Sequence, residues 1–184
     1  METLNLDLKK SATRKTIFGK LIVAIKEEET SAMVGRVVAD TSIPAQAQYA
    51  NLAEVKAAIK HSIASDWAKE QAGAIYEILA EAEAGVHGCT VEETHFHEVG
   101  LGMTIREILG MCTAIELLDK PKLVIDKVQV GSGKVECSHG VLDIPAPATA
   151  AILRKYDIAV VEEKLEGELC TPTSAAFIAH FMSE

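Results

Sequence analysis

Apolar residues recur along this chain with two periods, and the switches between them mark out its elements. From Asn51 the period is helical: Leu52, Val55, Ile59 and Ile63 share one face, and Asn51 with Glu54 forms a capping box. Ser65 or Asp66 caps a second helix with the stripe Trp67, Ile75, Ile78, Leu79 and Ala82, ending near Gly85. Its other face, with Glu77, Glu81 and Glu83, reads as solvated. The strongest pattern follows Gly102, where Thr104 and Glu107 predict a capping box and Ile105, Ile108, Leu109, Cys112 and Ile115 fall on one stripe. Cys112 therefore belongs to the core. Two more helices begin at prolines, in PAPATAAILRK and in TPTSAAFIAHFM, where Pro172 sits in the first turn.

Elsewhere the apolar residues run together or alternate. KLVIDKVQVGSG reads as a strand entering a glycine turn, KVEC as a short strand and IAVVEE as a buried-type strand. In the first fifty residues, TIFGKLIVAIKEEE (16–29) and MVGRVVAD (33–40) carry β-branched residues and predict strands, with SIPAQAQYA as a connection. No internal repeat interrupts this order. The pattern predicts an α+β (mixed α/β) fold: a single globular domain with a helical middle and short strands, in which 1–50 is a strand region and 51–184 the α/β core.

Composition narrows the function. Only 4% of residues are aromatic, so the core must be built from Ala, Ile, Leu and Val, with Trp67 as the sole indole. A formal charge of -9 repels phosphate backbones, which argues against nucleic-acid binding and favours a cation. No apolar run approaches the roughly 18 to 20 residues that span a bilayer, and METLNLDLKK lacks a secretory apolar stretch. The expectation is a cytoplasmic protein with no membrane partner. Its four cysteines include no CxxC pair, so reduced thiols are expected. Short edge strands and an alanine-rich helix leave a homo-oligomer open.

Candidate chemistry starts at THFHEVG (94–100). In an extended strand His95 and His97 project to one face while Phe96 turns inward, which is a chelating geometry for nickel, zinc or copper. Glu98 can then be a ligand or an orienting carboxylate. The competing reading is a pair of exposed or hydrogen-bonded histidines on an edge strand. GKVECSHG repeats the spacing with Cys137 and His139; if the two strand ends adjoin, they offer imidazoles and a thiolate. Otherwise Cys137 is a small buried hydrophobe and His139 belongs to a turn. His87, past a helix end, reads as a complement to the helix C-terminus, and His61 and His180 as surface residues on helices. For an anion, Ser132 and Gly133 of the GSG turn and Thr171 and Thr173 at a helix start could bracket a phosphate, although both segments also serve as a plain turn and a plain cap. Neither GxxxxGK[ST] nor GxGxxG occurs.

Taken in order, LAEAEAGVHGCTVEETHFHEVG, VGSGKVECSHGVLDIPAPATAAIL and EGELCTPTSAAFIAHF resemble successive blocks of the LarC family, the nickel insertion proteins of the nickel-pincer nucleotide cofactor. The resemblance runs from about Asn51 to the C-terminus. It implies nickel as cargo and a pyridinium-3,5-bisthiocarboxylic acid mononucleotide as ligand or substrate, whose sulfurs and ring carbon receive the metal. It also implies a CTP-dependent cyclometallase of the lyase class. The metal ligands it suggests are His95, His97, Glu98, Cys137 and His139, with Ser132, Gly133, Thr171 and Thr173 at the nucleotide.

The departures concern both ends and the middle. A DCFSGISGDM-like start and a histidine-rich tract are missing, so residues 1–50 are divergent. Met103 and Glu107 stand where the family has acids in a GAVDSIVDIVG-like run. The portion that binds CTP with a divalent cation is also lacking, which implies a separate CTP-binding partner chain for the full reaction. The alternative is a catalytically degenerate relative that serves as a binding or assembly subunit.

Overall fold

The computed structural model describes residues 2–25 and 28–182. Its elements follow in the order β1 (Thr3–Asn5), α1 (Arg14–Ala24), α2 (Glu28–Val38), α3 (Leu52–His61), α4 (Asp66–His87), α5 (Gly102–Leu117), β2 (Lys122–Val124), β3 (Gly131–Ser132), β4 (Lys134–Cys137), β5 (Gly140–Asp143), α6 (Pro147–Lys155), β6 (Gly167–Glu168) and α7 (Pro172–Met182). Helices dominate and the strands are short, so the α+β expectation holds.

The centre is α5, which is apolar on nearly every side because α1, α2 and α4 all pack on it. Ile105, Ile108, Leu109, Met111 and Cys112 are wholly buried there. Gly110 permits the closest approach: a Cβ at that position would lie 2.6 Å from Val38 Cγ2 and 3.2 Å from Phe18 Cε2. The long α4 packs between α5 on one side and α6 and α7 on the other, and its Ser65 cap accepts from the Ala68 N–H as expected. One continuous core results, with members from Leu6 to Phe181.

The strands form three two-stranded pairs. β1 runs parallel to β2, with Leu4 opposite Leu123, and β3 runs antiparallel to β6. β4 and β5 make a hairpin in which Cys137 faces Gly140 and the turn carries Ser138 and His139. No helix among the described residues is long and apolar enough to cross a membrane.

Several local expectations are corrected. The stretches 16–29 and 33–40 are not strands: they fall largely within α1 and α2, with Lys26 and Glu27 outside the described residues. Ile17, Leu21 and Ile25 recur at four-residue spacing and Val34 and Val37 at three, and all are buried. Burial of those stripes outweighs the β-propensity of Ile and Val. Thr13 caps α1 by accepting from the Thr16 N–H. The helix α4 continues through Gly85 to His87 and stops where Gly88 takes φ 68°, a left-handed cap that glycine adopts at little cost. The Thr104–Glu107 box does not form. Thr104 donates its hydroxyl to the Glu98 carbonyl, and Glu107 pairs with Arg14. Ile63 is 59% exposed rather than part of the α3 stripe, and IAVVEE contributes only a bridge from Val160 to Val128. The GSG segment begins as β3 rather than as a free turn. Gly131 has φ 87°, and a Cβ there would sit 1.8 Å from the Gly167 carbonyl oxygen, so a neighbouring backbone demands this glycine.

A candidate metal and ligand cavity

The loop after α4 is pinned before its histidines can be aimed. Phe96, 3% exposed, packs its ring on Tyr76 with centroids 5.9 Å apart, and its N–H donates to the Ala50 carbonyl. The Gln48 amide donates to the carbonyls of Phe96 and His97 at 3.0 and 2.8 Å, and the Tyr76 hydroxyl donates to the Val99 carbonyl at 2.8 Å. With Phe96 turned inward, His95 and His97 are left exposed on the loop surface.

The β4–β5 hairpin is then drawn onto this loop by one carboxylate. Glu98 Oε1 accepts from the Ser138 N–H at 2.8 Å and from its hydroxyl at 2.7 Å. Burial alone would raise the Glu98 carboxyl, but these donors and the nearby His97 hold it below the usual range. The contact brings the His139 ring to 4.7 Å from that of His97, nearly perpendicular to it. On its other side His139 lies 5.0 Å from the ring of His87, and His87 Nε2 stands 3.6 Å from Glu83 Oε2.

These groups line a cavity of about 530 Å³. Cys137 is on its wall and donates its thiol weakly to the Gly140 carbonyl at 3.5 Å. Two further carboxylates face the same space. Burial pushes Glu83 up, against the pull of His87, His139 and His97, and burial reinforced by Glu98 pushes Glu168 up. Cys170, buried behind Glu168, is pushed up to about 12 by burial and then by that carboxylate, which leaves its thiol inert near neutral pH.

The rest of the wall is made of helix beginnings. Thr13, Arg14 and Lys15 open α1, Ala146 to Ala148 open α6, and Thr171 to Thr173 open α7. Thr171 caps α7 by accepting from the Ser174 N–H. Thr173 is 3% exposed and lines the cavity, and its hydroxyl has no partner among the described residues. Arg14 pairs with Glu107 and donates to Thr104, so its charge is partly committed.

The cavity thus unites His97, Glu98, Cys137, His139, Thr171 and Thr173 of the residues expected from sequence. His95 does not line it, and neither do Ser132 and Gly133. The Ser132 hydroxyl is used on the Leu165 carbonyl, and the Gly131 N–H on the Gln129 side chain. Sequence reasoning missed Glu83, His87 and Glu168. The available signal was the four-residue spacing of Glu83 and His87 in the last turn of α4, hidden by the expectation that the helix stopped near Gly85. Among the described residues, no three His, Cys, Asp or Glu side chains already form a group that could hold a metal ion.

Comparison with known proteins adds an independent line. The profile of the family described as "Nickel insertion protein" matches residues 3–184, which extends the resemblance through the N-terminal fifty residues. The chain is 42% identical over 120 residues to the "Pyridinium-3,5-bisthiocarboxylic acid mononucleotide nickel insertion protein" of Staphylococcus saprophyticus, covering 65% of this chain and 30% of that protein. It is 43% identical over 128 residues to the protein of the same name from Akkermansia muciniphila, covering 70% and 31%. For the Clostridium acetobutylicum protein of that name the identity is 39% over 133 residues, covering 72% and 31%. The chain therefore spans about a third of the length of the curated relatives it matches. No solved structure matches it.

Proposed function

This chain belongs to the nickel insertion protein family, and on that premise we propose that it holds nickel(II) as cargo beside a pyridinium-3,5-bisthiocarboxylic acid mononucleotide. The observation that carries the proposal is the shared cavity, lined by His97, His139 and Cys137, by three carboxylates and by the beginnings of α1, α6 and α7. Imidazole and thiolate suit a borderline-soft divalent metal, and the carboxylates Glu83, Glu98 and Glu168 favour a cation over an anion near them. Glu98, fixed by Ser138, orients the loop against the hairpin so that His97 and His139 stay neighbours.

The phosphate of the mononucleotide is assigned to the start of α7, where free N–H groups, the cap Thr171 and the unpartnered Thr173 hydroxyl can receive it. Lys15, exposed on the first turn of α1, adds a positive charge to the cavity lining. A cavity of about 530 Å³ lies within the roughly 300 to 1,000 Å³ range of small-ligand sites. Bound there, the ligand's two sulfur groups can compete for nickel held by a small number of protein donors, which is what transfer requires. The proposed setting is the cytoplasm.

Calorimetric titration of the whole chain with nickel(II) tests the metal half. Binding is expected to weaken by at least about tenfold in His97→Ala/His139→Ala. Unchanged affinity and stoichiometry in that variant would sink the site. Nicotinic acid mononucleotide, another pyridinium carboxylate mononucleotide, probes the other half: Thr173→Val should weaken it several-fold while leaving nickel binding alone.

A further inference from the structure

We infer that His87 is a third imidazole ligand of the nickel held by His97 and His139, with Glu83 as the carboxylate that orients its ring. The inference rests on the nickel-binding reading and adds to it a helix, α4, that the histidine spacings in the sequence do not indicate.

The ring spacings suit shared coordination. A metal–imidazole bond is about 2.1 Å, and the ring centre lies about 1.1 Å beyond the nitrogen. Two imidazoles held at 90 to 109° on one cation therefore have centres about 4.5 to 5.2 Å apart, by the same bond length. The His97–His139 and His139–His87 spacings are 4.7 and 5.0 Å. These two pairs fall in that window with His139 as the shared neighbour, and His87 and His97 make no such ring contact with each other among the described residues. All three side chains are exposed, so rotation about their side-chain torsions can turn the nitrogens onto one point. His95 has no comparable place, being outside the cavity.

Glu83 adds a second constraint through its charge. On the same helix, Glu77 pairs with Lys56 and Glu81 with Lys155, both out in solvent. Glu83 has only 15% of its side chain exposed and no lysine or arginine partner among the described residues; its near neighbour is His87. A buried carboxylate without a cation is unfavourable. A divalent ion at the three imidazoles would supply that cation, while Glu83, now 3.6 Å from His87 Nε2, would close by a few tenths of an ångström to accept that N–H and leave Nδ1 for the metal. Carboxylate, histidine and metal in series is the usual way such a ring is fixed.

The test uses nickel(II) on the whole chain, read by calorimetry and by X-ray absorption, with far-UV circular dichroism to verify the fold. His87→Ala should weaken binding by at least about tenfold and reduce the imidazoles around nickel from three to two. Glu83→Gln should weaken it by about tenfold with three imidazoles kept, and His95→Ala should change neither readout. Wild-type affinity and an unchanged imidazole count in His87→Ala overturn the inference. If His97→Ala is then still defective, only the role of His87 falls. If wild-type protein binds no nickel, or His97→Ala binds it normally, the underlying reading falls as well.

Discussion

The helical body and the hairpin it carries are held together on different physical terms. In the body, Ile75, Leu79, Ile105, Ile108 and Leu109 are all wholly buried, and each is fixed by the volume of its neighbours. In the β4–β5 hairpin every residue is at least partly exposed, and the attachments are polar: Ser138 to Glu98, and Lys134 to Asp143 along the strands. Between them lies the 94–100 loop, which the Tyr76 hydroxyl ties to the body at the Val99 carbonyl and Glu98 ties to the hairpin through Ser138. The difference explains where the chemistry sits. Close-packed helices cannot spare space for a ligand, so the candidate site forms where helix ends meet a strand pair that a few hydrogen bonds can position.

The largest effect is expected in the body. Leu109→Ala removes a side chain with no exposure from the most enclosed helix, and should cost about 2 to 5 kcal/mol. For a chain of this size that lowers Tm by about 5 to 15 °C, measurable by thermal or denaturant unfolding. A loss below about 1 kcal/mol would show that α5 can repack as freely as a surface element, and the contrast would fail.

A smaller effect belongs to a polar clamp within the body. Asp40 follows α2 and accepts from the Ser42 and Ile63 N–H groups, both at 2.9 Å, tying α2 to the turn after α3. Burial would raise its carboxyl, but these backbone donors, helped by Arg106, hold it below its ordinary value. A lowered carboxylate contributes stability that is complete above the unfolded value of about 3.9 and is lost as pH falls through the lower folded value. Wild-type Tm should therefore decline through that acid range. Asp40→Asn should start lower at neutral pH and decline less over the same range; parallel pH curves for the two proteins would remove Asp40 from the account.

The two regions were also unequally legible in sequence. The α5 stripe was readable because Ile105, Ile108, Leu109, Cys112 and Ile115 recur cleanly at helical spacing. In α1 the same signal is blurred: Ile22 and the 84% exposed Val23 interrupt the Ile17–Leu21–Ile25 stripe with more β-branched residues. Only packing against α5 decides the matter. In the site, the inward turn of Phe96 and the parallel spacing of Cys137 and His139 were local facts, and the sequence carried them. The approach of α4 to the hairpin was not local, so His87 and Glu83 passed for helix-end and solvent-facing residues. Gly131 looked like part of a flexible turn because the Gly167 backbone that crowds it lies on a distant strand.

The mildest prediction tests the hairpin attachment directly. Ser138→Ala deletes the hydroxyl donor to Glu98 and leaves the Ser138 N–H donor in place. One hydrogen bond is worth about 0.5 to 1.5 kcal/mol, and here the groups it joins are exposed. Global Tm should barely move, because none of the buried body is disturbed. Amide exchange along 134–143 should instead quicken by about two- to tenfold, which is that free energy expressed as a local opening equilibrium. Nickel affinity should fall modestly, since His139 spends less time beside His97. If exchange in α5 quickened to the same degree, hairpin and body would unfold as one unit, and the attachment would be a determinant of the whole fold rather than a positioning contact for the site.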